Sequence, residues 1–144
     1  MGQDTISPKP IFWVIGGFGL IWNLLGVGAY IMLMNATPES LTEMYGTEQA
    51  AIMGSYPVWY NVIFALAVFG GVLGCILLLM RRKIALWPFV ISLICTAVQF
   101  IYLIFAGAMS GLAAYEWLMP VLIPIIAALL VRHTLKNTKR GFLV

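Results

Sequence analysis

The residues of this chain that could do chemistry are few and mostly uncharged. Asn23 stands in "IWNLLGVGAYIM", where its neighbours are apolar or small. Ser92, Thr96 and Gln99 follow at steps of four and three in "FVISLICTAVQFIY", with Cys95 and Tyr102 beside them. Tyr30, Asn61 and Glu116 complete the set. Amides and hydroxyls donate and accept hydrogen bonds, so these residues suit holding an uncharged ligand or fastening one helix to another. Nothing favours covalent or acid–base catalysis. His133 is the one histidine of the chain, set among tail cations with no second His or Asp ligand nearby. There is no Cys/His cluster, P-loop, G-x-S-x-G or haem motif. No catalytic residue, metal or cofactor is expected.

Composition sets where these groups must lie. The chain has 144 residues, 62% hydrophobic and 9% charged, with mean hydropathy +1.01, whereas soluble domains carry about 25% charged residues. Part of the solvent around such a chain must be lipid. A spanning helix needs about 20 mainly apolar residues, and four runs qualify: 11–34, 58–80, 84–106 and 112–131. Backbone groups in lipid must be satisfied within the segment, so each run is expected to be helical. The fold class is an all-α integral membrane protein, with residues 1–144 as one four-helix domain. The first run is too long for a signal h-region and no A-x-A site follows it. Gly2 lacks a myristoylation motif, since Ile6 takes the Ser/Thr place.

All eight Lys and Arg residues fall in three places: Lys9, the "RRK" of 81–83, and the 132–144 tail. Four spans put these on one side, and the positive-inside rule makes that side the cytoplasm. Both termini are then inside, and loop 35–57, without Lys or Arg, is outside. Such segregation does not track a phosphate backbone, so nucleic acid is not a partner; the bilayer is. In the outer loop, Thr37 reads as an N-cap and Pro38 as a first helical residue, with Gly46 as a stop; Thr47 and Pro57 repeat the pattern. Two short helices on the outer membrane surface are expected.

Within the spans, Gly16, Gly19, Asn23, Gly26 and Tyr30 share one helix face. Small residues let helices approach closely, so Gly70, Gly71 and Gly74 are expected to pack a second helix on the first, with Gly71 and Gly74 near Gly16 and Gly19. Counted from the cytoplasmic ends, Asn23 lies ~18 Å deep and Gln99 ~22 Å, which makes them an expected pair. Tyr30, Asn61, Gln99, Tyr102 and Glu116 gather in the outer half, as a polar pocket or as an interfacial belt completed by Trp59 and Trp117. Glu116 is inside the membrane if the fourth span starts near Leu112 and at the interface if it starts at Trp117. Pro120 and Pro124 free carbonyls on one face. Cys75 and Cys95 differ in depth by roughly 8 Å, too far for a disulfide.

The stretches "WNLLGVGAYIM", "LTEMYG", "PVWYNVIFALAVFGGVLGCILLLMRRKIALWPFVISL" and "MPVLIPIIAALL" resemble a family of small four-span bacterial inner-membrane proteins, many labelled "sugar transporter". The likeness covers most of the chain and is most specific from Pro57 to Leu93. It implies the inner membrane of a Gram-negative bacterium and carries over no site residues. The Pro-Gln pair of SWEET-type half-transporters is missing, as none of the seven prolines precedes Gln. The first span also lacks the embedded Glu of small multidrug transporters.

The expected function is binding of a small neutral solute or lipid by Asn23, Gln99, Asn61, Tyr30, Tyr102 and Glu116, as in a transporter. Four helices are scant for alternating access, so transport would need a parallel homo-oligomer. The rival is a non-transporting accessory or assembly subunit of a larger membrane complex.

Overall fold

The computed structural model describes residues 6–144; Gly2 lies outside them. The chain order is α1 (Pro10–Asn35), α2 (Pro38–Tyr45), α3 (Thr47–Gly54), α4 (Val58–Leu79), α5 (Leu86–Phe105) and α6 (Leu118–Lys139). A single 3-10 turn, Lys83–Ala85, leads into α5, and there is no strand among the described residues. Four helices are long and apolar enough to cross a membrane, so this is a multi-pass membrane protein by length and composition. Ile21, Leu25, Val58, Trp87 and Phe105 stand exposed on its flanks, an exterior suited to acyl chains rather than water.

Local chemistry sets the element ends. Pro10 opens α1 at a position where its missing N–H is no loss. In α2 the Thr37 hydroxyl accepts from the Ser40 N–H at 3.2 Å, and the Ser40 hydroxyl accepts from the Thr37 N–H at 3.0 Å. This reciprocal cap satisfies two donors that a helix start leaves open. Gly46, at φ +82°, separates α2 from α3.

The last long helix starts at Leu118, not near Leu112. Residues 107–117 instead wind through turns, with Gly107 and Gly111 at φ +69° and +83°, a conformation that ends helices. Pro120 falls in the first turn of α6, where an N–H has no acceptor anyway. The helix also continues past Val131 to Lys139, so the 132–144 segment is not a loose tail. Beyond it the chain folds back: the Val144 N–H donates to Arg81 O at 2.7 Å, and the Lys83 N–H donates to Val144 O at 2.9 Å. Phe142 and Leu143 are buried. Arg81, at φ +59°, donates from Nε to Phe142 O at 2.8 Å.

The main core lies at this turn end of the bundle and joins Phe12, Cys75, Leu78, Ala85, Phe89, Leu130 and Leu143. Helix α4 is the centre, packed on α1 and α5, and α5 carries α6. Helices α1 and α4 run antiparallel in a fixed register. A Cβ added to Gly26 would meet Val68, one on Gly71 would meet Asn23, one on Gly19 would meet Cys75, and one on Gly16 would meet Leu78 and Leu79. Gly70 and Gly74 do not join this seam. They face α5, against Pro88 O with Ser92 and against the Phe89 ring respectively. Residues 71, 75 and 78 form one stripe of α4 and residues 70 and 74 the next, so a helix held between two neighbours uses its glycines on both.

Candidate functional site

A cavity of about 370 Å³ lies between the four long helices. Its wall is mainly apolar, with Phe64, Phe89, Phe100 and Ile123 among its residues, and among the described residues no Asp, Glu, Lys, Arg or His lines it. Polar side chains come from three helices: Asn23 from α1, Tyr60 from α4, and Ser92, Thr96 and Gln99 from α5. Steps of four and three put the last three on one face of α5, which explains their shared outlook.

These groups are not equivalent. Asn23 Nδ2 donates to Gly19 O at 2.8 Å and also approaches Cys75 Sγ at 3.8 Å. The Ser92 hydroxyl donates to Ala67 O at 2.7 Å, linking α5 to α4. The Thr96 hydroxyl donates to Leu93 O at 2.9 Å, within its own helix. Gln99 is only 9% exposed, yet its carboxamide has no hydrogen-bond partner among the described residues. Gln99 and the Tyr60 hydroxyl thus lack a hydrogen bond on a wall where Asn23, Ser92 and Thr96 each make one. Among the described residues, the buried side-chain atoms left without a partner are Asn61 Oδ1 and His133 Nε2; the Gln99 amide keeps accessible surface on the cavity it lines.

Asn23 and Gln99 thus share a cavity but do not pair. Asn23 lies against Gly71, while the adjacent Gly70 lies against Pro88 O and Ser92. That registers Asn23 with the 88–92 turn of α5. Gln99, seven residues beyond Ser92, is roughly 10 Å nearer the end that carries α2 and α3. Depth counted from helix ends missed this because α1 and α5 do not start level.

The remaining expected site residues lie elsewhere. Tyr30 packs edge-on against Phe64 and Phe69, with ring centroids 5.5 and 6.1 Å away. Tyr102 belongs to an aromatic cluster at the loop end, 5.0 Å from Trp59 and 5.3 Å from Tyr60. Tyr56 joins it 4.4 Å from Tyr60, and burial, with Tyr102 nearby, pushes the Tyr56 hydroxyl up to about 12. Asn61 lines a second cavity of about 470 Å³ beneath α2 and α3, where its Oδ1 is buried without a partner. Glu116 is exposed in the turns before α6 and accepts from the Ala113 N–H, so it serves its own loop. His133 packs its ring 5.7 Å from that of Phe12.

Sequence reasoning missed Tyr60, Phe89 and the α6 wall as cavity residues. Apolar positions facing a cavity and apolar positions facing lipid look alike in sequence. Cys75 as the neighbour of Asn23 was more accessible, since it lies one turn from Gly71 on the same stripe. Cys75 and Cys95 are both free thiols. Among the described residues no group of three or more His, Cys, Asp or Glu could hold a metal ion. Comparison with protein-family models, with curated proteins and with solved structures finds no match.

Proposed function

We propose that this protein binds a small uncharged ligand within the membrane, in the cavity between α1, α4, α5 and α6, with Gln99 as the polar contact. The observation that carries this reading is Gln99, a residue nine-tenths buried whose amide lines the cavity without a hydrogen-bond partner among the described residues, on a wall where Asn23, Ser92 and Thr96 are engaged. A ligand with a donor and an acceptor completes what the protein leaves open. Among the described residues the wall carries no ionic side chain, which disfavours an ionised ligand at this depth. A free sugar is also a poor fit, despite the family resemblance. It would bring a hydroxyl on nearly every carbon and leave most of them unpaired, each at roughly 1–3 kcal/mol.

The arrangement in the bilayer follows from charge. Lys9, the 81–83 turn and the basic stretch of α6 face the cytoplasm, and α2 and α3 lie on the opposite surface. The resemblance adds the bacterial inner membrane to this reading, and the Gln99 end of the cavity is then the end toward the outer surface. Movement of the ligand across the membrane would require more than one copy, since four helices offer no second bundle to rock against.

The test is thermal melting of the purified full chain in nanodiscs with a panel of uncharged solutes, from glucose to medium-chain alcohols. A ligand stabilises the state it binds, so at least one panel member raises the Tm of the wild type. Ala127→Phe, which adds bulk to the cavity wall, loses that response. No response to any member would overturn the reading.

A further inference from the structure

We infer that the cavity takes a single-chain lipid with an uncharged hydrogen-bonding head, which enters sideways from the bilayer between α1 and α6 and places its head at Gln99. This rests on the cavity being a ligand site, as proposed above, and adds the class of ligand and its route.

Shape comes first. On α5 the lining runs from Phe89 to Leu103, roughly 21 Å of helix at ~1.5 Å per residue. A volume of about 370 Å³ is therefore drawn out along the helices rather than compact. That shape suits one extended hydrocarbon chain better than a compact solute, and the volume is small for a two-chain phospholipid.

Polarity then orients the chain. At the deep end Asn23 and Ser92 have spent their donors on Gly19 O, Cys75 Sγ and Ala67 O, and they stand among Phe89, Ala127 and Leu130. A methylene chain is tolerated there. Gln99, nearer the loop end, offers one carbonyl acceptor and an NH₂ donor that meet no partner among the described residues. A hydroxyl or amide head supplies both partners. A methyl ester supplies only acceptors, and a carboxylate brings a charge that no described residue on the wall balances.

The route follows from how α1 and α6 meet. They touch in their turn-end halves, where Gly19 lies against Leu130 and Phe12 against His133. Toward the loop end they part, and the wall there is made of residues that are also exposed on the flank: Leu25 at 68% and Met119 at 58%. A cavity whose lining residues also face the lipid opens to the lipid.

The experiment is Tm measurement of the full chain in phosphatidylcholine nanodiscs against 1-monodecanoylglycerol, methyl decanoate, ionised decanoate and glucose. It includes Gln99→Leu and Leu25→Trp, the latter a bulky change at an exposed position of the seam. The expected result is saturable stabilisation by monodecanoylglycerol alone, with apparent affinity falling at least roughly tenfold in both variants. Equal response to methyl decanoate, or an unchanged response in Gln99→Leu, would overturn the head assignment. An unchanged response in Leu25→Trp would overturn the route. Stabilisation by glucose without monodecanoylglycerol would overturn the ligand class and leave the cavity a ligand site. No response at all would remove both. Two copies per nanodisc with no lipid response would mean that a second chain covers the seam, which also overturns the inference.

Discussion

The carboxamide of Asn23 occupies the space that a side chain on Gly71 would need: a Cβ built there overlaps Asn23 Oδ1. The two residues are therefore one packing decision made on two helices. Gly71→Ala should cost about 1–3 kcal/mol of stability, the usual range for overpacking. The same change made in an Asn23→Ala background should cost much less, because residues in contact are not additive. Melting of the four variants in detergent checks this, and equal losses in both backgrounds would refute the contact.

The glycines divide into those that admit a neighbour and those that do not. A Cβ on Gly74 would come within 2.7 Å of the Phe89 ring, whereas nothing lies within 4 Å of one on Gly17. Gly74→Ala should destabilise by about 1–3 kcal/mol. Gly17→Ala should be neutral or stabilise by up to ~1 kcal/mol through helix propensity. Reversal of that order in denaturant or thermal melts would mean that α4 is rotated differently against α5.

The folded-back end makes a separate prediction. Leu143 is 1% exposed and Val144 is 52% exposed. Leu143→Ala should cost about 2–5 kcal/mol, as buried leucines do, while Val144→Ala should change stability little, because Val144 engages Arg81 and Lys83 through its backbone. Equal tolerance of the two in a melting assay would show that the segment does not dock.

Tyr56 gives a pH dependence. Its folded pKa, near 12, is above the ordinary value of 10.0 because burial, and then Tyr102, disfavours the phenolate. The unfolded chain therefore loses this proton first as pH rises. The stability Tyr56 contributes is fully present below about 10 and is lost as pH climbs toward 12. Tyr56→Phe should flatten the fall in Tm across that window. An unchanged slope would mean that the hydroxyl is solvated.

Orientation is checked by reporters. A cytoplasm-active fusion after Val144 should be active, and a periplasm-active insertion at Gly46 should be active. The opposite pattern would turn the Gln99 end of the cavity toward the cytoplasm and remove the bilayer depth assigned to Gln99.

The four long helices were legible because an apolar run of about 20 residues in this composition has few other solutions. The face holding Gly16, Gly19, Asn23 and Gly26 was legible because spacing alone defines a face. Which helix receives a given face was not. Gly74 differs from Gly71 by under one turn, and that rotation sends it to Phe89 instead of α1. The start of the fourth span stayed open between 112 and 117 because 112–117, mainly apolar but with Glu116, continues into the helix, while Gly107 and Gly111 act on backbone angles that hydropathy does not record. Of the six expected binding residues, Asn23 and Gln99 reach the main cavity. Tyr30, Asn61, Tyr102 and Glu116 have the right chemistry, but their directions depend on tertiary neighbours such as Phe69, Trp59 and Ala113.

Helix α6 is fixed very unevenly along its length. Its turn-end half is held by Leu130 against Gly19 and by the buried Thr134 and Asn137, and it is followed by the stitch to Arg81. Its other half begins beside a seam and contains Pro124, which removes the donor for the Pro120 carbonyl. Mechanically this is close to a cantilever: a clamped base, a weakened section at Pro124, and an exposed tip at Leu118 and Met119 tied only to the preceding turns. Bending should concentrate at the weakened section rather than spread along the rod, so the tip can swing while the base keeps its register. Amides from 118 to 123 would then exchange with solvent fastest in α6 and those near Thr134 slowest, and the width of the seam would be set by the stiffness of one proline-containing turn.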